Sequence, residues 1–303
     1  MHNEAQSSLA NPSKGVLFVV GAVFFFALAD TVTKHLAAHY PVPVVVLSRY
    51  AVNVVLLLLI LYPRQRAALW TTQRTGLVTL RGLCLCAASL TMGLALRVMP
   101  VGEASAIVYL SPFAVMLLAV PLLGEKVTIA GWIGATLGFL GVFLIVRPGG
   151  ALDPLGVTLC LINAGCATAY HLLTRVLART ETTSALLFNT ALVGVAVFAV
   201  MSIGQWHGPV PILPDIGLML LLGVLMTGGH FLFTAAYREA PASLLAPVYY
   251  LQLFWAGGLG WLVFGHIPDR LSLTGMGLVM LAGIGIALST HLSNRRARSV
   301  ARV

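Results

Sequence analysis

Residues 15–36 read GVLFVVGAVFFFALADTVTKHL, and residues 156–177 read GVTLCLINAGCATAYHLLTRVL. At a constant offset of 141 residues (Gly15 to Gly156), the two stretches pair Val16 with Val157, Thr33 with Thr174, Lys34 with Arg175 and Leu36 with Leu177. The same offset, without a gap, lays ALRVMPVGEASAIVYLSPFAVMLLAVPLLG (95–124) on AYREAPASLLAPVYYLQLFWAGGLGWLVFG (236–265). There it matches Arg97/Arg238, Pro100/Pro241, Tyr109/Tyr250, Leu110/Leu251, Phe113/Phe254 and Gly124/Gly265. Both copies are apolar almost throughout. Two copies of a membrane unit that each hold an odd number of spans lie upside down relative to one another. Such inverted repeats place two related gates around one central site. The pattern points to transport before any single residue is weighed.

The bulk numbers agree. The chain has 303 residues, 59% hydrophobic and only 9% charged, with a mean hydropathy of +0.95. Soluble domains carry about 25% charged residues, so the bilayer is the solvent here. A span needs about 20 apolar residues, and ten segments qualify: roughly 15–36, 42–62, 76–96, 102–121, 127–147, 154–177, 183–203, 213–236, 241–263 and 271–291. The expected fold is an all-α polytopic membrane protein of ten transmembrane helices, as two inverted five-helix repeats. Residues 1–148 form the first repeat and 149–303 the second. The Pro- and Gly-rich stretch 147–154 is the hinge between them. Spans two and three of each half match poorly, so their shared architecture rests on span count and offset.

The net charge of +9 is topological. Lys14, Arg64, Arg66, Arg74, Lys126, Arg175, Arg179, Arg238, Arg295, Arg296, Arg298 and Arg302 fall on the side of the N-terminus. Lys34, Arg97, Arg147 and Arg270 fall opposite, and Arg49 and Arg81 lie within spans. That bias places both termini in the cytoplasm and argues against a nucleic-acid partner. The apolar run after Lys14 continues to Ala29 without a cleavage site, so it reads as an uncleaved first span. Cys84, Cys86, Cys160 and Cys166 lie inside predicted helices and read as small apolar residues. No metal or other cofactor is called for.

Ala95-Leu-Arg-Val-Met-Pro100, the stretch from Ala104 to Pro112, Leu123-Gly-Glu125-Lys126, and the glycines at 131, 134, 138 and 141 form one recognisable segment. Its echo runs from Ala236-Tyr-Arg-Glu-Ala-Pro241 to Phe264-Gly265. With the two-unit plan, this resembles the EamA family of the drug/metabolite transporter superfamily, and within it the aromatic amino-acid exporters of the YddG type. The resemblance implies a multi-pass carrier of the cell's inner (plasma) membrane, with a substrate cavity between the halves. One departure is visible: the Glu that follows Leu-Gly is Glu125 in the first repeat but His266 in the second.

Ionisable groups in a bilayer are costly and invite a functional explanation. Asp30 and Lys34 stand four apart on span one, either as an ion pair near the helix end or as a substrate-amine contact at the outward mouth. Their mates are His171 and Arg175. Arg49 is placed to pair with Asp30 or to hold a substrate carboxylate. Arg81 reads as a snorkelling anchor. Glu103 and Glu239 read as capping carboxylates at helix starts. The cavity candidates are His230, its mate Ser89, Asn163, His171, Tyr250, Tyr109, Gln252 and Trp255. The gating or ion-pair candidates are Asp30, Lys34, Arg49 and Arg175. Pro112 and Pro247 are expected kinks. The four glycines of span five fall within an arc of about 80° at 100° per residue, a flat face for packing within the chain or for a homodimer.

The leading reading is a carrier that exports amino acids, aromatic or bulky apolar ones first, through a central cavity by alternating access. Its partners are a small-molecule substrate and the lipid bilayer, and the carrier is a monomer or a homodimer. Alternatives are export of other small metabolites or of lipophilic drugs by proton antiport, or a non-transporting receptor or scaffold. No catalytic constellation is present: the sequence has no His-Glu-x-x-His, no Gly-x-Ser-x-Gly and no phosphate loop.

Overall fold

An apolar chain still has to satisfy its helix ends, and the first helix shows how. Asn11 Oδ1 accepts from the Lys14 amide at 3.2 Å, a side-chain cap on one of the orphan donors of the first turn. The computed structural model describes residues 11–123, 129–147, 152–177, 180–205, 210–239, 245 and 248–300. Its helices are α1 (Pro12–His39), α2 (Val42–Gln65), α3 (Thr75–Val98), α4 (Val101–Val108), α5 (Leu110–Leu123), α6 (Ile129–Val146), α7 (Pro154–Leu177), α8 (Thr183–Ser202), α9 (Leu213–Glu239), α10 (Leu251–Phe264) and α11 (Arg270–Val300). Among the described residues, eight helices are long and apolar enough to cross a membrane, α4 and α5 together making one of them. The apolar segments Leu251–Phe264 and Arg270–Ile286 form shorter helices. The hinge at 148–151, Glu125 and Lys126 lie outside the described residues.

Helix directions follow from who touches whom. Lys14, near the start of α1, pairs with Glu239 at the end of α9 at 2.7 Å. At the other end Tyr40 donates from its hydroxyl to Asp215 Oδ2 at 2.6 Å, so α1 and α9 are antiparallel. Helices α3 and α7 are antiparallel too, because Met99 packs on Gly156 while Arg81 bonds Thr174. Val52 of α2 faces Gly223 of α9, and Tyr40 just before α2 meets the start of α9, so these two run parallel. Val78 clusters with Leu186 and Gly82 faces Val193, which makes α3 parallel to α8. Gln65 and Thr183 line one groove and Tyr50 stacks on Phe198, which makes α2 antiparallel to α8. Together these directions leave α1 opposite to α7, α2 opposite to α8 and α3 opposite to α9. The two halves are inverted copies.

Individual contacts obey the same symmetry. Gly82–Val193, which joins α3 to α8, is the mate of Gly223–Val52, which joins α9 to α2. Tyr40–Asp215 is the mate of Glu181–Arg74, where the Glu181 carboxylate accepts from the Arg74 amide at 2.8 Å. Tyr109 touches its own mate, Tyr250, with ring centroids 5.2 Å apart, so this contact lies on the pseudo-two-fold axis. The weakly matching spans two and three therefore share their packing even where identities fail.

Pro112 produces the interruption expected of it. Its missing N–H leaves the carbonyl of Val108 without an i+4 donor and its ring crowds that turn, and the helix breaks at Tyr109 between α4 and α5. Pro112 itself is exposed and does not face the interior, so it shapes the site only through Tyr109. Pro247 lies outside the described residues. The glycine face of α6 packs within the chain: Gly141 lies against the Gly275 carbonyl, Gly134 against Ile286 and Gly138 against Phe113. A Cβ at Gly134 or Gly141 would collide with α11, which is the close approach small residues permit in membranes.

Candidate functional site

Between the halves lies a cavity of about 240 Å³. Helix α1 contributes Phe26 and Asp30, α2 Arg49, α3 Ser89, α4 Ser105 and α7 Asn163, Tyr170 and His171. His230 comes from α9 and Gln252 from α10, with Tyr109 and Tyr249 at the adjoining breaks. Two half-buried ionisable groups and a ring of neutral donors and acceptors thus converge in an otherwise apolar bundle, the usual make-up of a small-molecule site.

Arg49 is held but not neutralised. Its guanidinium donates to Ser89 Oγ at 3.2 Å and lies 4.8 Å over the Tyr50 ring. The Tyr50 hydroxyl and Ser89 Oγ are 3.0 Å apart. Asp30 faces the same space as Arg49 and Gln252, yet it makes no ion pair: among the described residues those pairs are Lys14–Glu239, Arg147–Asp269 and His266–Glu103. Gln252 is fixed from behind by the Tyr109 hydroxyl, which donates to its Oε1 at 3.2 Å and to the Tyr249 carbonyl at 3.1 Å. Asn163 donates to the Ala88 carbonyl at 2.5 Å. Ser105 Oγ is buried without a partner among the described residues. His230 leans on Phe26, ring centroids 5.0 Å apart.

The structure brings Asp30, Arg49, Ser89, Tyr109, Asn163, His171, His230 and Gln252 around one space. It does not bring the others. Lys34 makes no pair with Asp30; it donates to the Leu96 and Met99 carbonyls at 2.8 and 2.7 Å and lies 5.4 Å from the Phe264 ring. The long lysine stem reaches the orphan carbonyls at the C-terminus of α3, where a cation is favoured. Tyr250 is 7% exposed, with its ring wedged against the backbone of Gly283 in α11. Trp255 fills the seam between α1 and α10, edge-on to Phe24 at 5.2 Å. The side chain of Arg175 lies outside the described residues.

Arg81 is no surface anchor. It is 3% exposed and donates to Thr174 Oγ1 (2.7 Å), the Leu186 carbonyl (3.1 Å), Thr190 Oγ1 (2.6 Å) and the Tyr170 hydroxyl (2.7 Å). Sequence reading missed this network. The available signal was the i, i+4 polar pair Tyr170/Thr174 on α7, a stripe that needs a partner. Glu239 ends α9 rather than starting a helix, and serves the start of α1 by accepting from the Asn11 amide at 3.2 Å. Glu103 sits in the first turn of α4 and 2.9 Å from His266 Nε2, which gives the His at that repeat position a partner.

A family model for the EamA-like transporter family matches residues 13–147 and again 154–288. The chain belongs to that family. It is a multi-pass protein of the inner (plasma) membrane, within the drug/metabolite transporter superfamily. It is 26% identical over 280 residues to the pseudopaline exporter of Pseudomonas aeruginosa, covering 90% of this chain and 95% of that one. Over 295 residues it is 24% identical to the riboflavin transporter of Vibrio cholerae, covering 96% of this chain and 98% of that one. It is equally 24% identical over 295 residues to the S-adenosylmethionine uptake transporter of Rickettsia prowazekii, covering 96% and 97%. A solved crystal structure superposes with a TM-score of 0.65 over 93% of this chain and 98% of its own, at 20% identity, which speaks to the fold alone. These relatives are named as transporters of three unlike solutes, and none of the three for aromatic amino acids.

Proposed function

We propose that this EamA-family transporter carries an amino acid or amino-acid-derived zwitterion, with Arg49 meeting the carboxylate and Asp30 the amine. The observation that carries this reading is that both charges line one cavity between the halves without pairing with each other. An isolated charge in a low-dielectric interior is unfavourable, so a ligand that supplies both counter-charges at once is bound strongly for its size. A lipophilic cation would satisfy Asp30 but meet Arg49 as a like charge, which ranks drug export lower. The rings of Phe26, Tyr109, Tyr170 and Tyr249 leave room for a bulky or aromatic side chain, each ring contact being worth about 0.5–1.5 kcal/mol. Ser89, Asn163, His171, His230 and Gln252 are the polar contacts we assign to the substrate.

In this reading ten spans cross the membrane, the shorter apolar helices Leu251–Phe264 and Arg270–Ile286 counting as two of them, and the charge bias puts both termini in the cytoplasm. Export is supported by the likeness to the pseudopaline exporter. Counterflow in proteoliposomes across the twenty amino acids, with and without a proton gradient, tests it. Accelerated exchange of zwitterions is expected. Flux no greater than in empty vesicles for all twenty would end the proposal.

A further inference from the structure

A second space adjoins the cavity at His230. This groove of about 140 Å³ lies between α2, α8 and α9 toward the end of the bundle where α1 begins, and His230 lines both spaces. At its inner end stands Asn53. Its Oδ1 is buried, and no donor among the described residues reaches it. A buried carbonyl oxygen left without a donor is as costly as a broken hydrogen bond, so its persistence at this point asks for a ligand group.

The groove is not a by-product of the backbone plan. Its repeat-mate, the seam where α3 meets α2 and α8, is filled: Tyr50 lies over Gly194, the mate of Asn53, and Val42 over Gly93, the mate of Thr234. Phe198 completes that buried cluster. Where the first half has Tyr50, the second has Ala191. Space was left on one side only, beside the polar residue.

Distance selects the occupant. Arg49 and Asn53 are four residues apart on α2, one turn, a rise of about 6 Å. A carboxylate at Arg49 thus places the far end of a side arm of about five bonds at Asn53. A carboxamide both donates and accepts, and its best complement is another amide or a urea. We propose that the groove takes a second arm of the substrate, and that this arm ends in an amide or urea. This rests on the zwitterion reading and narrows it: the cargo is an amino acid extended by a polar, amide-type arm rather than one ending in an apolar group.

The experiment compares L-citrulline with L-norleucine in proteoliposome exchange. The two share the zwitterionic head and an unbranched side arm and differ in the urea at the end. Wild-type protein is expected to exchange citrulline about tenfold more effectively. Asn53→Leu should erase that preference while norleucine exchange persists, which also shows that the variant folds. Leu187→Trp, filling the groove from α8, should depress citrulline exchange alone. Equal exchange of the two by wild type, or an unchanged preference in Asn53→Leu, would overturn this inference and leave the head-group reading standing; a lipid tail seated in the groove would give the first result. No exchange of either, nor of any free amino acid, would overturn both.

Discussion

The seam where α3 packs on α7 and α8 and the seam where α9 packs on α1 and α2 are related by the internal two-fold, yet they are made of different material. In the first, Arg81 is buried among Thr174, Thr190 and Tyr170, and Tyr50 and Phe198 fill the neighbouring space. In the second, the mate of Arg81 is Leu222, packed in an apolar cluster with Ala29, Val32, Tyr40, Val45, Met219 and Leu225, and the mate of Tyr50 is Ala191. One backbone plan thus carries a polar, filled seam and an apolar one with a groove beside it. Symmetry sets which helices meet; side-chain size and polarity decide where room for a solute is left.

Breaking the polar seam should have the largest effect. Arg81→Ala leaves a void and takes the donor from the Tyr170 hydroxyl, and should cost about 2–4 kcal/mol, read as a drop in melting temperature in detergent. Leu222→Ala, its mate, should fall in the same range through cavity formation alone, with no orphaned polar group to add. Exchanging residues between mates sharpens the comparison. Gly194→Asn drives a side chain into the Tyr50 ring and should destabilise by about 1–3 kcal/mol, whereas Asn53→Gly, facing the groove, should cost no more than about 0.5 kcal/mol through helix propensity. Changes at the cavity should instead spare stability and stop flux: Arg49→Gln and Asp30→Asn are each expected to lower counterflow at least about tenfold, with melting temperature held within a few degrees as the control. The smallest effect lies at the rim. Hydrogen bonds from Arg147 and from the Ser272 amide push Asp269 down to about 2 from 3.8. A carboxylate depressed on folding contributes above its unfolded pKa, and that contribution is lost as pH falls from about 4 toward 2. Asp269→Asn should flatten that acid limb and lower melting at pH 7 by the same small amount that wild type loses on acidification, small because the pair is exposed.

The architecture was legible because a fixed offset survives substitution. Gly15/Gly156 and Tyr109/Tyr250 were enough to announce two copies, and the contacts of Gly82 and Gly223 confirm the offset in spans where identities had failed. The cavity was legible where a polar group had no business in a lipid-soluble helix: Asp30, Arg49, His230 and Asn163 betray themselves by cost alone. Aromatic residues carry no such signal, since Trp255 and Tyr250 are as well suited to filling a seam as to lining a pocket. Lys34 misled because i, i+4 spacing on one helix says nothing of carbonyls that a neighbouring helix brings within reach. The ring of acceptors around Arg81 comes from two further helices, and only their assembly turns an apparent surface anchor into a buried one.

The contact between Tyr109 and Tyr250 has a consequence of its own. Any residue pair that maps onto itself under the internal two-fold keeps the same neighbour when the halves trade conformations, while every off-axis contact acquires a new one. The two tyrosines therefore mark a fulcrum: a reporter placed between them should stay silent through a transport cycle that moves reporters everywhere else.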